Sequence, residues 1–215
     1  VPTLAAFAII VSSLEASARA RGAAGFFGWM RGLPWRNPAM ANMGWAVVNM
    51  MLGITFAFVL IQEKLAPMLS DTFFVPGYFH FFAVGVLTQT FLAALMVILP
   101  SLGGGSLWRP DLLRRMPAVV TLGLLIFGVA GITAGFMGVP RRVFDLSYGG
   151  MAPAAWPMLM ALVGVGATIF AIAISVSVYG VVRTLLSLRP SIEQAPVVDW
   201  RTGSRGVGKA PAWTG

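Results

Sequence analysis

The sequence predicts an all-α fold: a polytopic transmembrane helix bundle of about five helices, the first truncated. Three observations predict it. Of 215 residues, 58% are hydrophobic and only 10% are charged, against roughly 25% charged in average soluble proteins. Four apolar runs free of charged side chains reach the roughly 20 residues that cross a bilayer's hydrocarbon core. The 15 Lys+Arg and 7 Asp+Glu are gathered between those runs. That is the pattern of loops facing a membrane surface, not of a nucleic-acid-binding patch.

The elements follow in order. Val1 to Leu14 is apolar but short, stopping at Glu15 and Arg19. It lacks the basic flank and cleavage site of a signal peptide and reads as the last part of a helix. The chain thus reads as a C-terminal piece of something longer, or as one half of a split subunit. The full-length spans are Met40 to Gln62, Phe73 to Leu99, Pro117 to Val139 and Trp156 to Val182. Residues 1–185 form the membrane region, and 186–215 a polar tail. From Pro190 onward the tail has scattered Pro and Gly and no helical period, so it is expected to be extended or partly disordered. Gly103-Gly104-Gly105-Ser106 lacks the Lys-Ser/Thr of a phosphate-binding loop and reads as a turn. Gly53, Gly85, Gly123, Gly131 and Gly164 are expected to permit close helix contact.

Orientation follows from the basic residues. Arg19, Arg21, Arg31 and Arg36 follow the first segment, and Arg109, Arg114 and Arg115 follow the third. Arg183, Arg189, Arg201, Arg205 and Lys209 follow the fifth. With alternating spans these lie on one side, which the positive-inside rule makes cytoplasmic. The opposite side has Lys64, Arg141 and Arg142. The adjacent arginines are the exception to the charge pattern.

With no Cys and a single His, disulfides, thiolate metal sites and multi-imidazole centres are excluded from this chain alone. No carboxylate pair or Ser-His-Asp set is present either. His80 sits in the first two turns of the third span, within Val75-Pro76-Gly77-Tyr78-Phe79-His80-Phe81. An ionisable group in a membrane helix is costly and marks function by default, and neutral imidazole is a common axial haem ligand. One His fixes no metal by itself, so an interfacial histidine bonded to a neighbouring helix stays open. Tyr78, two residues earlier, points about 200° away at 100° per residue. It addresses a different body, or belongs to the interfacial aromatic belt. Arg141 and Arg142 follow Val139-Pro140 and offer planar donor forks for carboxylates, or contact headgroups.

Together these residues resemble one family. Val1-Pro2-Thr3, Ser13-Leu14-Glu15, Gly25-Phe26-Phe27-Gly28-Trp29 and Leu33-Pro34-Trp35-Arg36-Asn37-Pro38-Ala39 resemble the end of helix VIII and the following loop in subunit I of B-type (ba-type) heme–copper cytochrome c oxidases. Val75-Pro76-Gly77-Tyr78-Phe79-His80 resembles its helix X, and Val139-Pro140-Arg141-Arg142 the arginine pair after helix XI. The resemblance runs in order over about residues 1 to 185, which would be helices VIII to XII.

The resemblance implies a role for each residue. Helix X in the family carries two histidines, the first on a high-spin haem and the second on a low-spin haem. His80 matches the second, implying a low-spin haem b whose other ligand comes from helix II. Tyr78 stands at the first, so a second haem there is unusual or absent. Arg141 and Arg142 would pair with haem propionates. Ser70 occupies a position where the family often has a histidine, and Asp71 would partly compensate. Thr3 would join a hydroxyl row of the proton path, whereas Ala6 one turn later has no hydroxyl. Copper would be held only by residues outside this chain. The implied partners are an N-terminal half of subunit I, a copper-bearing subunit II, and cytochrome c or a similar periplasmic donor. The implied place is the inner membrane of a prokaryote, with the tail cytoplasmic.

Two functions remain in view. One is a haem-binding part of a terminal oxidase, an enzyme only together with the other helices and subunits. The other is a divergent, oxygen-inactive subunit for electron transfer or scaffolding. A small transporter would need broken or polar helices near the midplane, which these uncharged spans do not suggest.

Overall fold

A computed structural model describes residues 2–103, 106–142 and 147–187, together with the paired dipeptides Val197–Val198 and Arg205–Gly206. The rest of the tail, and with it the expectation of an extended segment, lies outside the described residues. The helices are α1 (Pro2–Ala20), α2 (Gly28–Arg31), α3 (Pro38–Leu60), α4 (Ala66–Leu69), α5 (Phe74–His80), α6 (Gln89–Gly103), α7 (Pro110–Phe136) and α8 (Ala155–Ser187). A π-helical stretch, Phe81–Thr88, joins α5 to α6, making one continuous span over Phe74–Leu102. That span, α3, α7 and α8 are the four helices long and apolar enough to cross a membrane. With α1 they form the all-helical bundle.

The helix ends differ from the hydropathy reading where charges interrupt apolar runs without breaking helices. α1 continues past Leu14 to Ala20 because Glu15 and Arg19, one turn apart, form an ion pair at 2.6 Å, which supports a helix end. α7 starts seven residues before Pro117. Pro110 takes the first turn and Asp111 lies beside it, both favoured at a helix N-terminus. Arg114 and Arg115 therefore lie on α7 and not in a loop. α8 runs on to Ser187, so Arg183 is helical too. The start of α3 shows the usual capping logic: the Asn37 side chain accepts from Ala39 N at 2.8 Å, with Pro38 in the first turn.

Side chains cannot be driven together by the hydrophobic effect inside lipid, so close backbone approach holds the spans. α7 is the centre of the bundle: 61% of its most apolar window is buried, against 17% for α8. Gly123 and Gly166 face each other across α7 and α8, where an added Cβ at Gly123 would lie 2.9 Å from Gly166 O. On the other side of α7, a Cβ at Gly77 would meet Ile132 N at 2.9 Å, and Gly135 abuts the Phe74 backbone. Gly123 and Gly131 sit in such contacts, Gly53 and Gly85 lie against the side chains of Phe82 and Asn49, and Gly164 has open space around it. The glycine that packs is Gly166, on the face of α8 that turns toward α7.

Candidate functional site

α5 begins beside the connection that follows α7. Phe73 N donates to Val139 O at 2.8 Å, Arg141 N donates to Asp71 O at 3.1 Å, and Thr72 pairs with Pro140 in an isolated antiparallel bridge. These backbone bonds fix the start of α5 against the end of α7. They bring two sequence-selected residues together: Arg141 Nη2 donates to Asp71 Oδ1 at 2.9 Å. Arg141 Nε is buried and has no hydrogen-bond partner among the described residues. Arg142 is exposed.

His80 lies six residues into α5, roughly 9 Å along the axis. Its Nδ1 is 2.7 Å from Pro76 O. A carbonyl only accepts, so Nδ1 carries the proton and the Nε2 lone pair of the neutral ring is left for a metal. The ring is half-buried and meets tilted phenyl rings from α7 and α8. Its centroid lies 4.4 Å from Phe127 and 6.2 Å from Phe170, and those two phenyl rings meet edge-on at 5.7 Å. Three helices thus hold the imidazole in an apolar aromatic frame with its polar Nδ1 satisfied.

Tyr78 faces other company. Its ring centroid is 5.9 Å from Phe74 and 6.4 Å from Phe82. It packs on the cluster of Leu69, Phe74 and Ile132 with Phe56 and Val59 of α3. These neighbours are apolar, and among the described residues no buried unpartnered donor or acceptor lies on this cluster. The side chain of Thr3 lies outside the described residues, as does that of Ala6. Ser70 closes the short α4 with its backbone, donating to Ala66 O.

The chemistry of the donor set fits a haem at His80. A tautomer-fixed imidazole would offer one nitrogen to the iron, and Arg141 Nε, without a partner among the described residues, would donate to a carboxylate on the same end of the bundle. Among the described residues no three His, Cys, Asp or Glu side chains cluster to hold a bare metal ion, so an iron carried within a macrocycle suits a single histidine better.

Sequence reasoning missed several polar features. Asn49 is fully buried and donates through Nδ2 to Thr121 Oγ1 at 2.8 Å, while its Oδ1 has no partner among the described residues. Gln89 is fully buried with neither amide atom partnered there. The Phe81–Thr88 π-stretch, directly after His80, carries Thr88 Oγ1 donating to Ala83 O five residues back. Such stretches gather at functional sites. A signal for the amides was present, since Asn42, Asn49 and Gln89 interrupt otherwise apolar runs. The π geometry leaves no mark in composition.

Comparisons with known proteins show the family. The family model described as "Cytochrome C and Quinol oxidase polypeptide I" matches residues 1–169. Cytochrome c oxidase subunit 1 of Thermus thermophilus is 32% identical over 205 residues, covering 92% of this chain and 36% of that protein. A second Thermus thermophilus sequence of the same description is 30% identical over 104 residues, 46% of this chain and 94% of that sequence. Among solved structures, a heme–copper terminal oxidase dimer studied by cryo-electron microscopy superposes with a TM-score of 0.63 at 20% identity, over 71% of this chain and 27% of that one. At that identity the likeness speaks to the fold alone. The chain spans about a third of the length of the first of these relatives. Four membrane-length helices, the ordered motifs and these matches lead to one conclusion: the chain belongs to the cytochrome c and quinol oxidase polypeptide I family.

Proposed function

We propose that this chain is a haem-binding part of a respiratory terminal oxidase, passing electrons through a low-spin haem b toward oxygen reduction. The observation that carries the reading is His80, whose Nδ1 is held 2.7 Å from Pro76 O, leaving Nε2 for iron. Bound haem supplies one-electron transfer between two oxidation states of its iron. The residues of this chain bind and orient. His80 would hold the iron through Nε2, Phe127 and Phe170 would exclude water from the imidazole, and Arg141 would offer its guanidinium to a propionate while Asp71 steadies it. Arg142 adds positive charge at that edge, which favours the reduced, more negative haem. With one histidine in this chain, a second iron ligand and any copper ligands would come from other helices or subunits. The implied partners are an N-terminal half of subunit I, a copper-bearing subunit II and a periplasmic donor such as cytochrome c. The setting is a prokaryotic inner membrane with the arginine-rich side and the tail in the cytoplasm.

One observation favours a second reading. Tyr78 stands at the position where the family resemblance implies the high-spin haem ligand, and it packs among apolar side chains. A chain that keeps the low-spin haem but has lost oxygen chemistry would serve electron transfer or scaffolding. Reduced-minus-oxidised and carbon monoxide difference spectra of the purified complex separate the readings. Two haems, one binding carbon monoxide, support the oxidase. One low-spin haem without a carbon monoxide response supports the divergent subunit. No haem at all overturns both.

A further inference from the structure

A groove of about 650 Å³ runs down the outer surface between α7 and α8, lined by Trp108, Leu112, Ala171, Ile172, Val176 and Tyr179. The aliphatic hydroxyls in it, on Thr168 and Ser175, donate to their own helix at 2.9 and 2.8 Å, so apart from the Tyr179 hydroxyl at its mouth the wall is effectively apolar. From Tyr179 to Thr168 the groove follows eleven residues of helix, roughly 17 Å. That is about half of a hydrocarbon core roughly 30 Å thick, or the depth of one leaflet.

The arginine-rich end of the groove is built differently. Trp108 and Tyr179 meet edge-on with centroids 5.3 Å apart, the interfacial aromatic pairing of a membrane boundary. Trp108 N donates to the buried Thr184 Oγ1 at 3.0 Å, which ties this mouth to α8. Arg109 lies with Cζ 5.4 Å from the Trp108 ring centroid. Its backbone is left-handed, φ 42° and ψ 65°, a conformation that non-glycine residues seldom adopt and that marks functional positions. Arg183 follows Tyr179 by one turn on the same face of α8 and is exposed. Neither arginine has an ion-pair partner among the described residues.

We propose that this groove binds an anionic phospholipid, with one acyl chain along α8 from Tyr179 to Thr168 and the phosphate on Arg109 and Arg183. The length of the apolar trough fits one leaflet, Tyr179 of the aromatic pair lies three residues before the end of the apolar run Trp156–Val182, and two guanidiniums without ion-pair partners among the described residues complement a phosphate at the mouth. A zwitterionic lipid meets the same trough but lacks the net charge the arginines select.

The test uses the whole membrane complex that contains this chain, reconstituted with spin-labelled phosphatidylglycerol or phosphatidylcholine. Wild type is expected to hold phosphatidylglycerol more tightly. The double variant R109A/R183A is expected to weaken that lipid about thirtyfold and leave phosphatidylcholine unchanged. A171W, at an exposed position within the trough, is expected to displace both lipids while the thermal midpoint of the complex stays that of wild type. Equal affinity of the two lipids in wild type overturns the proposal. So does unchanged phosphatidylglycerol binding in R109A/R183A, or a protein helix found seated in the groove.

Discussion

The two ends of this bundle are held together in different ways. At the His80 end, backbone meets backbone. Gly77 lies on Ile132 and Gly131, Gly135 on Phe74, and the Thr72–Pro140 bridge joins the start of α5 to the end of α7. At the arginine-rich end, side chains do the packing. Leu92, Met96, Leu99, Leu113 and Val181 cluster there, and the amide of Asn42 bonds its own helix and the sulfur of Met96. Between the two, Asn49 and Gln89 bury polar atoms that lack partners among the described residues. The difference has a physical lesson. Backbone contact fixes a helix to within fractions of an ångström, which an axial ligand requires. Side-chain packing in lipid is forgiving and leaves room for grooves.

This contrast can be broken or sharpened by substitution. The largest effect is expected from His80→Ala, which removes the axial nitrogen. A smaller loss is expected from Gly135→Val. Its new side chain meets the Phe74 backbone, and such overpacking costs about 1–3 kcal/mol or more. Thermal unfolding of the complex is expected to show it, while the same change at Gly164, which has open space around it, is expected to be within about 0.5 kcal/mol of wild type. If the two glycines respond alike, the backbone-contact account of the His80 end is wrong.

Gln89→Leu is expected to raise stability by about 1 kcal/mol, because it removes a buried amide without partners here. A lowered midpoint would instead reveal that another chain or an internal water satisfies Gln89. Arg141→Ala is expected to lower the haem midpoint potential with the spectrum kept, read by redox titration; an unchanged potential would leave Arg141 as a structural clamp for Asp71. The smallest effect belongs to Asp71→Asn. Asp71 is 90% exposed in its pair with Arg141, and such pairs contribute at most about 1 kcal/mol, so a chemical denaturation midpoint should scarcely move.

Much of the fold was legible because a bilayer imposes one rule, about 20 apolar residues per span, and this chain obeys it in α3, the α5–α6 span, α7 and α8. What was not legible were the ends. Asp111, Arg114 and Arg115 lower the hydropathy of the first turns of α7 but favour helix there, so a hydropathy reading stops at Pro117 while the helix starts at Pro110. Gly164 and Gly166 are two residues apart and compositionally equivalent, and only the rotation of α8 on α7 decides which one packs. In the site, His80 stood out as the chain's single histidine, set in an apolar run free of Asp, Glu, Lys and Arg. The Pro76 carbonyl and the Phe127–Phe170 frame did not, since they depend on three helices meeting. Asp71 and Arg141 were each singled out, but their direct pairing across 70 positions needed the bridge that only the folded chain displays.

The central claim is that His80 places an axial nitrogen on a low-spin haem. The most direct test is the reduced-minus-oxidised spectrum of the complex carrying His80→Ala, recorded beside wild type at equal protein and with thermal midpoints compared. The account predicts loss of the low-spin band while the bundle still assembles. A low-spin band retained at wild-type intensity would contradict it and return His80 to an interfacial histidine bonded to its own helix.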